Sequence, residues 1–211
     1  MDRRELLKMI ALVTGGVVIG GEVFLSGCTT AGKADAGFTA TNITLLDEVG
    51  ETIIPATNTP GAKAAQVGEF MKVMVTDCYT EKQQAVFMKG ITTLEEACKK
   101  MHDKKFMDCT PQQRHDLLVS LEKEAIAFDK KRDEEEKPKR EIHEQTNAKL
   151  AWKEQKEFEG SPSHYYTMMK QLTLWGYFSS KPGATLALRN VPVPGKYDGA
   201  FPYKKGDKAF T

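Results

Sequence analysis

The sequence predicts an all-α protein: a small helical domain of about five helices followed by a long irregular C-terminal arm. Three observations carry that expectation. Apolar residues recur at helical spacing in successive stretches between Ile43 and Trp175. Helix starts are marked, most clearly at Thr110-Pro111-Gln112-Gln113, which supplies a cap, a first-turn proline and a Gln able to complete a capping box. From Ser179 onward the pattern collapses into Lys-Pro-Gly, Val-Pro-Val-Pro-Gly, Tyr-Asp-Gly and Phe-Pro-Tyr, with no period of either kind.

In chain order, Ile43, Leu46, Val49 and Ile53 form the first amphipathic face, with Thr41 or Asn42 as cap and Pro55 as the stop. Pro55 to Gly61 is rich in turn formers and reads as a loop. Val67, Phe70 or Met71, Met74 and Cys78 mark a second helix. Val86, Leu94, Ala97 and Met101 mark a third, with a weak point at Gly90. Leu117, Leu118, Leu121, Ala125 and Phe128 face the core from the fourth. The dense mixed charges of 129–144, broken at Pro138, read as a solvated helix extension or a linker, because opposite signs interleave. Ser161-Pro162 opens the last helix, whose stripe is Tyr165, Met168 or Met169, Leu172 and Trp175 or Gly176. The arm, 179–211, cannot fold alone. It must lie on its own helices or on another protein, since Tyr197, Phe201 and Tyr203 would otherwise form an exposed apolar patch.

Ahead of this domain, Arg3 and Arg4, followed by Glu5, Leu6, Leu7 and Lys8, resemble a twin-arginine export signal. Met9 to Gly21 is apolar but glycine-rich and too short for a comfortable membrane span. Leu25-Ser26-Gly27-Cys28 resembles the lipobox of bacterial lipoproteins, with Cys28 as the acylated residue. The expected organisation is a signal peptide over 1–27, a flexible tether over 28–37 and the helical domain over 38–211. The expected location is the periplasmic face of a bacterial membrane. Several acyl chains on Cys28, at about 0.8 kcal/mol per buried methylene, would hold a small domain on the bilayer.

Composition removes other classes. A formal charge of +1 across 211 residues leaves no nucleic-acid footprint. His102, His115, His143 and His164 are scattered without ligand spacing, so they read as surface or capping residues rather than a metal site. No nucleophile motif, phosphate loop or dinucleotide fingerprint is present, and no catalytic, cofactor-binding or metal-binding residue is assigned. Glu95 and Glu96 serve solubility. Three cysteines follow Cys28. Cys78 with Cys98 is disfavoured, because a rise of about 1.5 Å per residue carries Cys98 roughly 25 Å up the third helix from the turn. Cys98 with Cys109 is open, against burial of both as small hydrophobes.

Several segments together resemble the small subunit, subunit 3 in gluconate 2-dehydrogenase, of membrane-associated flavin-dependent sugar and polyol dehydrogenases. They are Leu46-Asp-Glu-Val-Gly-Glu-Thr-Ile-Ile-Pro-Ala-Thr-Asn-Thr-Pro-Gly-Ala62, Asp77-Cys-Tyr79, Leu172-Thr-Leu-Trp-Gly-Tyr-Phe-Ser-Ser180 and Pro192-Val-Pro-Gly-Lys-Tyr-Asp-Gly199. Asn58 stands where the family's loop would carry an acid, and the charge run from Asp129 is a local elaboration. The resemblance implies a non-catalytic partner of a large subunit that binds flavin adenine dinucleotide and oxidises a sugar or sugar acid. Electrons would pass on to a cytochrome c or a quinone. It also implies that the small subunit carries the export signal for a pair already folded around its cofactor, with Cys28 adding a membrane anchor. Contact with the large subunit is assigned to Trp175, Tyr177, Phe178, Pro194, Gly195, Tyr197, Phe201 and Tyr203. The alternatives are a free-standing envelope lipoprotein acting as chaperone or scaffold, and an enzyme whose site the sequence does not display.

Overall fold

The computed structural model describes residues 37–193, 195 and 198–210. Their framework is five α-helices: α1 (Ala40–Ile53), α2 (Val67–Cys78), α3 (Glu81–His102), α4 (Pro111–Asn147) and α5 (Tyr165–Ser179). Short 3-10 turns lie at Lys63–Ala65, Phe106–Asp108 and Trp152–Glu154, and a π-helical turn, Gly183–Ala187, follows α5. Among the described residues there is no strand, only an isolated bridge between Arg189 and Phe210. The all-α expectation therefore holds.

Local chemistry sets the helix starts. Thr39, rather than Thr41 or Asn42, caps α1, its hydroxyl accepting from the Asn42 N–H at 3.2 Å. At α4 the anticipated capping box forms: Thr110 Oγ1 accepts from the Gln113 N–H at 3.3 Å, and Gln113 Oε1 accepts from the Thr110 N–H at 3.0 Å. The same box opens α3 through Thr80 and Gln83. Gln66 before α2 lies in the left-handed region (φ 54°) and supplies no side-chain cap. Asp47 of α1 substitutes, accepting from the Gly68 N–H at 2.8 Å. That reach needs the two helices in contact. A Cβ on Gly68 would sit 2.5 Å from the Ile43 carbonyl oxygen, so glycine is required there.

α5 touches all four other helices, which explains its broad apolar face. Tyr166, Met168, Met169, Leu172, Thr173 and Tyr177 are all buried. They meet Leu46 and Val49 of α1, Met71 and Val75 of α2, Phe87, Ile91 and Leu94 of α3, and Leu117 and Leu121 of α4 in one core. Each such fully buried side chain contributes about 2 kcal/mol. Four details differ from the sequence pattern. On α4 Phe128 does not face the core but is exposed, its ring edge-on to that of His164. On α2 the buried positions are Val67, Met71 and Val75, and Cys78 is exposed. On α3 the seam runs through Phe87, Ile91, Leu94 and Cys98, leaving Met101 exposed, and Gly90 does not interrupt it. Gly90 instead lets α5 approach: a Cβ there would lie 2.3 Å from Tyr165 Cβ.

Of the two readings of the charge run the helix extension is the one found, but it is neither broken at Pro138 nor wholly solvated. α4 continues through Pro138 to Asn147 as one helix of 37 residues. Three of its charged side chains, one or two turns apart, grip the segment that leads into α5. Asp129 accepts from the His164 N–H (2.9 Å) and the Thr167 hydroxyl (2.5 Å). Arg132 donates to Ser163 Oγ at 2.6 Å, and buried Glu136 accepts from the Ser161 N–H at 2.5 Å. Farther along, Arg140 and His143 sit against the Phe158 ring, and Asn147 bonds the Lys156 backbone. These contacts hold the helix on both sides of a proline that removes one hydrogen bond. They also delay α5: it starts at Tyr165 rather than at Ser161-Pro162, with the His164 ring nitrogen accepting from the Tyr166 N–H at 3.3 Å.

Candidate functional site

The C-terminal half of α5 divides its side chains between core and surface. Tyr177 is 2 % exposed, and its hydroxyl donates to the Pro60 carbonyl oxygen at 2.7 Å. Trp175, 57 % exposed, stacks edge-on against Phe70 of α2 with ring centroids 5.7 Å apart. Phe178 and Leu174 are each 39 % exposed. Beside Trp175 a cleft of about 290 Å³ is lined by Tyr79, Gln83, Ser163, Met168, Gln171 and Leu172. An aromatic shelf with an adjoining cleft is a surface suited to receiving a side chain from another protein.

Beneath Tyr177 lies the loop between α1 and α2. Glu51 ties its two ends together, accepting from the Ala56 N–H (2.8 Å) and the Lys63 N–H (2.9 Å). Glu48, one turn earlier on α1, accepts from Lys63 Nζ at 2.8 Å and from Arg114 of α4. Burial by itself would raise the Glu48 carboxyl, but the Lys63 hydrogen bond and the Arg114 charge outweigh it and hold the group below its ordinary 4.5. Asp47 moves the other way, raised by burial against the lowering bond from Gly68. The carboxylates of α1 thus organise backbone. Glu48 and Glu51 line one open cleft with Pro60, Gly61 and Lys63, but both carboxylates are already engaged there. Among the described residues no group of three or more His, Cys, Asp or Glu could hold a metal ion.

The arm is more structured than its sequence implies. Ser180 Oγ donates to the Tyr177 carbonyl at 2.6 Å and starts the π-helical turn, which buries Gly183. Arg189 then packs over two rings that meet edge to face, 4.9 Å from the Phe210 centroid and 5.6 Å from that of Phe201. Its N–H donates to the Ala209 carbonyl at 2.8 Å, and Lys208 reaches the Leu186 carbonyl. The chain after Leu188 therefore returns to its own base. Val193 (83 % exposed) and Tyr203 (74 % exposed) project between those closing contacts.

Of the residues assigned to partner contact, Trp175 and Phe178 stand together at the surface, and Gly195, Phe201 and Tyr203 are exposed on the arm. Tyr177 is a correction. Its ring completes the core and its hydroxyl is used internally, because the helical period turns it away from Trp175. Pro194 and Tyr197 lie outside the described residues, as do Arg3, Arg4 and Cys28. Sequence reasoning missed Phe70, the floor under Trp175, and Arg189. A lone arginine among prolines and aromatics carried no periodic signal.

The family model described as gluconate 2-dehydrogenase subunit 3 matches residues 40–195. The chain belongs to the gluconate 2-dehydrogenase subunit 3 family. The match begins at the first residue of α1 and extends through α5 into the arm, so it takes in the Glu48–Glu51 loop anchors, the Trp175 shelf and the start of the arm. The family's description is that of one subunit of a multi-subunit dehydrogenase complex. No curated protein and no solved structure matches the chain. No helix of the described residues is long and apolar enough to cross a membrane.

Proposed function

We propose that this chain is the non-catalytic small subunit of a periplasmic sugar or sugar-acid dehydrogenase, bound to a large subunit that carries flavin adenine dinucleotide. The family match over residues 40–195 carries this reading. Exposed Trp175, stacked on Phe70, with exposed Phe178 one turn on, supports it, because an isolated domain gains nothing by leaving a tryptophan 57 % exposed beside an open cleft. On this reading Arg3 and Arg4 direct export of a pair that is already folded, since a flavoprotein must take up its cofactor before crossing. Cys28 then tethers the pair to the membrane, and a cytochrome c is the onward electron acceptor.

Copurification tests the proposal. Tagged full-length chain, extracted from membranes, is expected to bring down a yellow partner that reduces an artificial dye when given sugars or sugar acids. A colourless preparation with no dye-reducing partner would sink it and favour a free-standing scaffold lipoprotein. Cys28→Ala is expected to move the dehydrogenase activity from the membrane to the soluble fraction, and activity that stays on the membrane would show a different anchor.

A further inference from the structure

The connection between α3 and α4 brings two thiols together in the core. Cys98 lies in the penultimate turn of α3 with no exposed surface. Cys109, 5 % exposed, sits between the Phe106–Asp108 turn and the Thr110 cap of α4. Their sulfurs are 3.4 Å apart. The backbone around them is pinned from both sides. Asp103 in the left-handed region (φ 53°) closes α3, Glu95 accepts from the Phe106 N–H at 3.3 Å, and Arg114 donates to the Phe106 and Met107 carbonyls at 3.0 and 2.8 Å. His102 Nε2 bonds the Gln113 carbonyl oxygen at 3.1 Å across the same corner. A disulfide is about 2.0 Å long, so the sulfurs need only a small side-chain adjustment with the corner in place. Cys78, the last residue of α2, is exposed.

We propose that Cys98 and Cys109 are a disulfide pair, closed by exchange with an external disulfide, and that Cys78 remains a free thiol. The less buried Cys109 gives up its proton to solvent and attacks the external disulfide, forming a mixed disulfide and releasing one thiol. Cys98 then loses its proton and attacks Cys109 Sγ, releasing the second thiol. Two electrons and two protons leave the pair, and one external disulfide becomes two thiols. Cys98 is the resolving residue. Burial first, then its bond to Cys109, pushes its thiol up to about 12, which makes it a poor first nucleophile. The closed bond staples α3 to α4 beside the arginine that reaches Glu48.

The sequence makes the mapping simple, because Lys99, Lys100, Lys104 and Lys105 separate the two cysteines. Folded full-length chain is incubated with oxidised glutathione, blocked with N-ethylmaleimide in denaturant and digested with trypsin. The expected result is that peptides 90–99 and 106–114 are recovered joined, that peptide 73–82 carries the blocking group on Cys78, and that reduction lowers the melting temperature by about 5 °C or more. Peptides 90–99 and 106–114 recovered separately and both blocked would overturn the proposal. So would a link from either of them to Cys78 or Cys28, or a bond whose reduction raises the melting temperature. The map is made on unsubstituted protein, so it does not depend on a cysteine variant folding. Cys78→Ser is expected to leave the linked peptide unchanged.

Discussion

The Tyr177 hydroxyl donates to the Pro60 carbonyl oxygen at 2.7 Å, joining the end of α5 to the turn-rich loop that follows α1. The two residues are 117 positions apart in sequence, and both lie within the family match. This bond makes the loop part of the platform under Trp175. Tyr177→Phe keeps the ring and removes the donor, so it is expected to cost about 1 kcal/mol in urea unfolding. Hydrogen exchange at Thr57 and Ala62, whose amides close the loop onto Thr59 and Ile54, is expected to quicken. Unchanged exchange there would show that the loop is held by Glu51 alone.

Gly90→Ala sets two effects of opposite sign against each other. Helix propensity alone favours alanine by about 1 kcal/mol. Packing opposes it, since the new methyl would lie 2.3 and 2.5 Å from Tyr165 Cβ and Cγ. Those atoms are at the stem of the side chain, where rotation gives no relief, and overpacking of this kind costs about 1–3 kcal/mol. Net destabilisation, read from the urea midpoint, is the expected outcome.

Glu48 gives the fold an acid-sensitive joint. Its folded-state carboxyl is held below 4.5, so its contribution is present above the unfolded value and is lost as pH falls through the lower folded one. Asp47 has the opposite sign: its raised carboxyl takes up a proton earlier in the folded state, which relieves a penalty as pH falls. Glu48→Gln removes the first effect and leaves the second. Between pH 7 and pH 3 the variant is expected to lose less stability than the parent. At neutral pH it is expected to be weaker by about 2 kcal/mol, because half-buried Arg114 loses its countercharge.

Asp129→Ala removes the acceptor for the His164 amide, the Thr167 hydroxyl and Arg132. A loss of about 2 kcal/mol is expected, with faster exchange at the first amides of α5. A neutral result in both measurements would return the charged stretch to the role of a solvated surface.

Trp175→Ala and Phe178→Ala are each expected to cost about 1 kcal/mol in unfolding through their lost ring contacts, while weakening capture of the flavoprotein about tenfold or more. Cutting the chain after Leu188 leaves the π-helical turn on α5 and removes the rest of the arm. It is expected to separate the shelf's contribution from that of Val193, Phe201 and Tyr203.

The helices and much of their ends are legible in the chain alone. Thr110, Pro111 and Gln113 act within one turn of chain, so their outcome needs no tertiary partner, and Thr80 with Gln83 carries the same legible pattern. The apolar period located the cores of α1, α4 and α5, and the motif segments pointed to the family. Tertiary structure decided whatever depended on a second element. The mixed charges of α4 read as solvated because their partners, Ser161, Ser163, His164 and Thr167, lie 25 to 38 residues away. A proline read as a break stayed inside α4 because contacts on either side offset one lost hydrogen bond. The helical period sets Tyr177 and Trp175 on different faces, and only the packing of α5 among its neighbours decides which of the two is core and which is surface. The nearness of Cys98 to Cys109 likewise follows from how a tight corner folds, which spacing alone left open.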